Sequence, residues 1–211
     1  MDYLTRDEVR EMILAVCREV QQNEQHLCQL DSYVGDGDHG STMARGFRAV
    51  EKALGEPGHD SIDALFYCTA EALEEAMGGA IGPIFASLFE AAGDVCQGKP
   101  RFGAEELRSA LQEGYDAVRD IGGAKPGDRT MLDALAPAAE AAETACGQGL
   151  TLPEAALAAA EAARQGGERT ASMVAKKGRA RFLGEKSLGH QDAGATSLAV
   201  VLGAVAAYCS H

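Results

Sequence analysis

Apolar residues recur every three or four positions along nearly the whole chain, a spacing that predicts helices. Val9, Met12, Ile13, Val16 and Val20 lay one stripe along a first helix, from about Thr5 to the region of Cys28. Met43, Phe47, Val50 and Leu54 repeat it in a second, which ends before the breaker Gly55-Glu56-Pro57-Gly58. Ile62, Leu65, Phe66, Thr69 and Leu73 mark a third. The glycine-rich segment Gly78 to Pro83 interrupts, and Ile84, Phe85, Leu88, Phe89 and Val95 resume as a fourth. Leu107, Leu111, Tyr115 and Val118 give the fifth.

Two later helix starts are written as capping boxes, Thr130 with Asp133 and Thr151 with Glu154, the second with Pro153 in the first helical turn. They open an alanine-rich sixth and seventh helix. The last, roughly Ala195 to Tyr208, is apolar nearly all round (Leu198, Val200, Val201, Leu202, Val205). A bilayer span needs about 20 apolar residues, so this helix belongs inside a bundle and not in a membrane. No stretch alternates convincingly with period two. The pattern predicts an all-α chain of about eight helices and no sheet, one domain over residues 1–211.

Charge narrows the partners. A net charge of −13 argues against a nucleic-acid backbone or an anionic membrane surface. The N-terminal stretch is acidic and amphipathic and lacks the form of a secretion signal. The six cysteines (Cys17, Cys28, Cys68, Cys96, Cys146, Cys209) are scattered, with no closely spaced pair, and fit buried free thiols in a reducing cytoplasm.

Chemistry concentrates in the loops. Leu30 to Met43 reads LDSYVGDGDHGSTM and crowds Asp31, Asp36 and Asp38 among Gly35, Gly37 and Gly40, with His39 beside them. Asp-Gly pairs are common turn formers, and a solvated acidic turn needs no function. Carboxylates this close also repel unless a cation sits among them, and hard oxygen donors suit Mg²⁺ or Ca²⁺. A calcium loop of the EF-hand type fails on spacing, because the twelfth position counted from each aspartate is Thr42, Phe47 or Ala49 and not glutamate.

Three further loops stand out. Gly78 to Pro83 either lets two helices pack closely or exposes backbone N–H groups to an anion. Gly122 to Met131 is polar, bent and leads into a helix N-terminus. Lys176 to Ser197 carries a basic cluster, with Arg179 and His190, in an otherwise acidic chain. A basic run is usually a solvated surface, and a lone histidine is usually structural. Acidic metal-binding turn, glycine-rich cradle and basic segment together are what a nucleotide polyphosphate requires. The sequence has neither a GxxxxGK[ST] phosphate loop nor a kinase-type GxGxxG after a strand.

Four segments in order, GDGDHGSTMARGF (35–47), GGAIGP (78–83), KPGDRTMLD (125–133) and KGRARFLGEKSLGHQDAGATS (177–197), resemble the ADP-binding L-subunit family of dihydroxyacetone kinases over essentially the whole chain. The resemblance implies a closed barrel of eight antiparallel helices with the nucleotide in loops at one end. It implies that Asp31, Asp36 and Asp38 hold two Mg²⁺ ions, and that His39, Gly40, Ser41 and Thr42 wrap ADP or ATP. Further nucleotide contacts fall on Ala80, Ile81, Gly122, Met131, Arg179, Asp192, Ala193 and Gly194. Arg179 is the candidate for stabilising charge on the transferred group. Relatives often carry Ser or Thr where this chain has Ile81, Pro where it has Ala193, and Asn where it has Thr42.

The family's acceptor, dihydroxyacetone, is held covalently by a histidine on a separate K subunit, so this chain is expected to be inactive alone. In the phosphotransferase-system version the ADP is retained and recharged by an M subunit; in the other version ATP is consumed. A free-standing L-type chain leans toward the first. The alternatives are an ATP-dependent kinase subunit for another small ketose and a non-catalytic nucleotide-sensing module.

Overall fold

The computed structural model describes residues 2–211. Nine α-helices make up most of it: α1 (Arg6–Gln22), α2 (Glu24–Ser32), α3 (His39–Ala53), α4 (Ile62–Ala76), α5 (Ile81–Cys96), α6 (Ala104–Gly122), α7 (Leu132–Gly147), α8 (Leu152–Arg169) and α9 (Ala193–Cys209). Among the described residues the only strands are β1 (Tyr3–Leu4) and β2 (Phe102–Gly103), two residues each, paired antiparallel. The sequence predicts no sheet, and a ladder this short leaves no period-two pattern to read.

Eight helices close into a ring. From α3 to α9 each helix packs against the next, α9 packs on α1, and α1 packs on α3. The short α2 lies outside this circuit, against α3 and α9. The connections α2–α3, α4–α5, α6–α7 and α8–α9 all contribute to one cleft, so they emerge at one end. Neighbouring helices therefore run antiparallel, and the β1–β2 pair joins the N-terminus to the α5–α6 connection at the opposite end.

The two halves of the ring are filled differently. The α1, α3 and α4 side buries large groups, among them Val9, Ile13, Met43, Phe47, Leu65 and Leu73. On α7 and α8 buried alanines (Ala134, Ala138, Ala142, Ala155, Ala159, Ala163) let the backbones close up. Contact there is tight enough that a Cβ on Gly166 of α8 would lie 2.3 Å from the carbonyl oxygen of Asp133. The apolar α9 packs against α1, α2, α3, α7 and α8, as its all-round hydrophobicity predicts. The six cysteines are free; Cys17, Cys96 and Cys209 are buried, and Cys28, Cys68 and Cys146 only partly so.

Three helix boundaries differ from the pattern. The first predicted helix is two, because the Asn23 side chain turns back to donate to the carbonyl of Glu19 (2.9 Å) and breaks the run. The α3 helix starts at His39 and not near Met43, so the residues after the acidic turn form its first coil. The α5 helix starts at Ile81, with Pro83 in the first turn, where a missing N–H costs no bond. Of the two capping boxes, Thr151 with Glu154 is complete. Asp133 accepts from the Thr130 amide (2.8 Å), but the Thr130 hydroxyl takes the Leu132 amide instead of completing the box.

Candidate nucleotide site

A cleft of about 730 Å³ opens at the end where the four connections meet. Its acidic wall is the α2–α3 turn. Asp31 closes α2, and its carboxylate folds back to accept from the amides of Gly37 (2.8 Å) and Asp38 (3.2 Å). A Cβ on Gly35 would sit 2.2 Å from an Asp31 oxygen, so only glycine leaves room for this fold-back, and Gly37 takes φ +77°. As a result Asp31, Asp36 and Asp38 each offer an oxygen, all within 4.8 Å of one another. Three hard oxygen donors so close, two of them exposed, fit a divalent cation.

The floor is the start of α3. His39 is buried, and its Nε2 lies 3.1 Å from the hydroxyl of buried Ser197 on α9. Burial lowers its pKa below the usual imidazole value, against an opposing pull from Asp31, so the ring is held neutral. Thr42 faces the cleft one turn on. The first amides of α3 have no partner within the helix and carry the positive end of its dipole.

The opposite wall joins the α6–α7 loop to the α9 N-terminus. Asp133 accepts from the amides of Thr130 and Gly127 and so ties the loop down. Asp192 caps α9 by accepting from the Ala195 amide (2.9 Å). Burial pushes its carboxyl up to about 6, against the Ala195 bond and the charge of Arg129. Arg129 itself is fully buried behind this wall and donates to the carbonyls of His190 (2.8 Å) and Gln191 (3.2 Å).

The last side is basic. Lys177, Arg179 and Arg181 come from the segment between α8 and α9, which runs through two 3₁₀ turns, Thr170–Ser172 and Arg179–Ser187. Arg179 forms an ion pair with Asp36 across the mouth. Ile81, Ile84, Phe85, Val118 and Leu132 supply an apolar patch deeper in.

The sequence matches the DAK2 domain family over residues 33–207. The chain belongs to the DAK2 domain family. It is 38% identical over 186 residues to the PEP-dependent dihydroxyacetone kinase ADP-binding subunit DhaL of Escherichia coli (strain K12), covering 88% of this chain and 89% of that protein. It is also 38% identical over 187 residues to an L-erythrulose kinase of Pectobacterium atrosepticum, but there it covers 32% of the longer protein. Among solved structures it matches the native dihydroxyacetone kinase of C. freundii with a TM-score of 0.73 and 34% identity, covering 94% of this chain. The chain spans 34% of that enzyme's length. The same enzyme in complex with AMP-PNP and Mg²⁺ matches at TM-score 0.71.

In this DAK2 domain the cleft brings together Asp31, Asp36, Asp38, His39, Thr42, Ala80, Ile81, Gly122, Met131, Arg179, Asp192, Ala193 and Gly194. Two residues expected at the nucleotide are not on its wall. Gly40 faces α2, where a Cβ would lie 2.0 Å from the carbonyl oxygen of Glu24, so its missing side chain serves helix packing. The Ser41 hydroxyl donates to the Asp38 carbonyl (2.9 Å). The glycine-rich turn divides its two readings: Gly82 packs against Met77, whose carbonyl a Cβ would meet at 2.5 Å, whereas Gly78 and Gly79 line the open cleft.

Sequence reasoning missed Arg45 and Arg181 on the cleft, and Arg129 buried in its wall. Arg45 lies one turn beyond Thr42 and donates to the Ala76 carbonyl at the end of α4 (2.8 Å). Arg129 sits inside the recognised KPGDRTMLD segment, but the chain pattern gives no sign that a charged residue there is buried. Among the described residues no helix is long and apolar enough to cross a membrane.

Proposed function

We propose that this chain is the nucleotide-binding phosphotransfer subunit of a dihydroxyacetone kinase, a single domain that carries the phosphoryl donor to a small ketose held on a separate K subunit. The observation that carries this reading is the convergence of Asp31, Asp36 and Asp38 within 4.8 Å on the same cleft as Arg179 and the α3 N-terminus. Membership of the DAK2 family and likeness to proteins named as ADP-binding subunits support it. Asp31, Asp36 and Asp38 would hold two Mg²⁺ ions, which supply positive charge against phosphate oxygens.

The chain's own groups do the rest. Backbone amides of His39, Gly40 and Ser41 at the α3 N-terminus donate to phosphate, so Gly40 and Ser41 act through main chain and not side chain. Neutral His39, held by Ser197, shapes the floor beneath Thr42. The Gly78–Ile81 turn, Gly122 and Met131 bound the nucleoside side, and the Asp192-Ala193-Gly194 segment forms the facing wall. With apolar side chains at Ile81 and Ala193, contacts there run through backbone. Arg179 leaves Asp36 and turns to the group in flight, where a guanidinium stabilises developing charge.

Retained ADP recharged by an M subunit in the cytoplasm is the version we favour, because proteins named PEP-dependent ADP-binding subunits match over most of their length. A second reading, a subunit for an ATP-dependent kinase of a four-carbon ketose, draws on the 38% identity to an L-erythrulose kinase. A sensing module without chemistry is disfavoured by Arg179 at the mouth. The test is a single turnover: the chain loaded with γ-labelled ATP and Mg²⁺ is mixed with a K-type subunit and dihydroxyacetone. Label in the sugar phosphate, with ADP left on the chain, is expected. Label released only as inorganic phosphate, or none transferred to any ketose offered, would overturn the proposal.

A further inference from the structure

Three unfavourable features meet at Arg129. Among the described residues it is the only non-glycine with positive φ (+61°), a conformation that costs on the order of 1 kcal/mol or more. Its guanidinium is entirely buried. Nε and Nη1 have no hydrogen-bond partner, and burial lowers the pKa of the group. A chain keeps such a group only where the surroundings over-determine it.

What Arg129 holds is one short segment. Its Nη2 takes the carbonyls of both His190 and Gln191, and its Nη1 lies 3.9 Å from the Asp192 carboxylate. From the other side the Thr170 hydroxyl accepts from the Asp192 amide (2.8 Å). The segment is thus gripped between the α6–α7 loop and the end of α8, just where α9 begins and Asp192 to Gly194 face the cleft. Charge points the same way. Asp192 shares its wall with Asp133 and faces an acidic turn, so without Arg129 this side would repel an anion.

We infer that Arg129 is a positioning residue for the nucleotide site, acting through residues 190–194: it fixes the α9 N-terminus against the cleft and cancels the charge of Asp192 there. This rests on the proposed nucleotide reading.

The test compares Arg129→Met, Arg129→Lys and the unaltered chain, by calorimetric titration with ADP in Mg²⁺ and by amide hydrogen exchange of the ligand-free proteins. Loosening the α9 N-terminus without removing a ligand contact predicts ADP binding weakened about threefold to thirtyfold in Arg129→Met. Arg129→Lys keeps the charge without the fork and should recover part of that loss. Exchange should quicken selectively at residues 193–196 in Arg129→Met, with α1 to α5 unchanged. ADP affinity equal to the unaltered chain, or quickened exchange spread evenly over the fold, would overturn the inference. Should the unaltered chain bind no nucleotide, the proposed function falls, while the exchange pattern still decides whether Arg129 holds the α9 N-terminus. If Arg129→Met does not fold, Arg129→Lys carries both readouts, with a smaller loss of ADP affinity expected and none contradicting.

Discussion

Arg179 reaches from the α8–α9 connection to Asp36 on the α2–α3 turn and pairs with its carboxylate. Both side chains are largely exposed, so the pair is worth little to stability and is easily exchanged. Under the proposed function, a divalent cation held by the three aspartates would compete for Asp36 and leave the Arg179 guanidinium free to meet phosphate. Arg179→Ala should therefore lower the transfer rate on the order of 10³-fold, while ADP affinity changes less than about tenfold. Single-turnover rates and ADP titrations separate the two; equal losses in both would make Arg179 a binding residue only.

The acidic turn makes a second prediction. Ligand at about a hundredfold excess over its dissociation constant stabilises by about 2.7 kcal/mol, which for a domain of this size raises the melting temperature by about 5–10 °C. The unaltered chain should show that rise with ADP and Mg²⁺, and lose it when Mg²⁺ is chelated. Asp38→Asn should show none under the same conditions, by differential scanning fluorimetry. A full rise in the variant would remove Asp38 from the site.

Much of this was legible in the sequence, and the reasons for the rest are physical. The helical period located the first five long helices, which bury one stripe each, while capping boxes with alanine-rich runs marked α7 and α8 and all-round apolarity marked the buried α9. The acidic turn was legible because three crowded carboxylates repel unless a cation sits among them, and it stood beside a glycine-rich loop and a basic segment. The break at Asn23 was not, since it depends on a side chain turning back on its own helix. Nor was the packing role of Gly40, which needs α2 to lie across α3. Arg129 was hidden most deeply: burial of a charge comes from the fold around it, and a polar loop gives no local signal.

Asp192 gives a pH dependence with a definite sign. Its folded pKa of about 6 lies above the ordinary 3.8, so between these values the folded state binds more protons than the unfolded. Its contribution falls as pH rises from about 4 through 6, by up to about 3 kcal/mol. Asparagine caps helices as well as aspartate but does not titrate. The stability of Asp192→Asn relative to the unaltered chain should therefore improve between pH 4 and 7 in urea denaturation. A difference that stays flat across that range would contradict the assigned environment.

Close packing of α7 and α8 holds the α6–α7 loop through Asp133. A Cβ at Gly166 would push on the Asp133 backbone at 2.3 Å, with no flexible side chain to yield. Gly166→Ala should destabilise by about 1–3 kcal/mol. It should also weaken ADP binding, because the amides of Gly127 and Thr130 lose their anchor. Thermal melts and ADP titration read the two effects, and an unchanged melting temperature would sink the packing argument.

The proposed function requires the three aspartates to hold a nucleotide through a divalent cation. The most direct test is to denature the purified protein and identify by chromatography and metal analysis what is released. Near-equimolar ADP accompanied by Mg²⁺ is the expected result. Release of neither, together with no binding of added ADP or ATP in Mg²⁺, would contradict it.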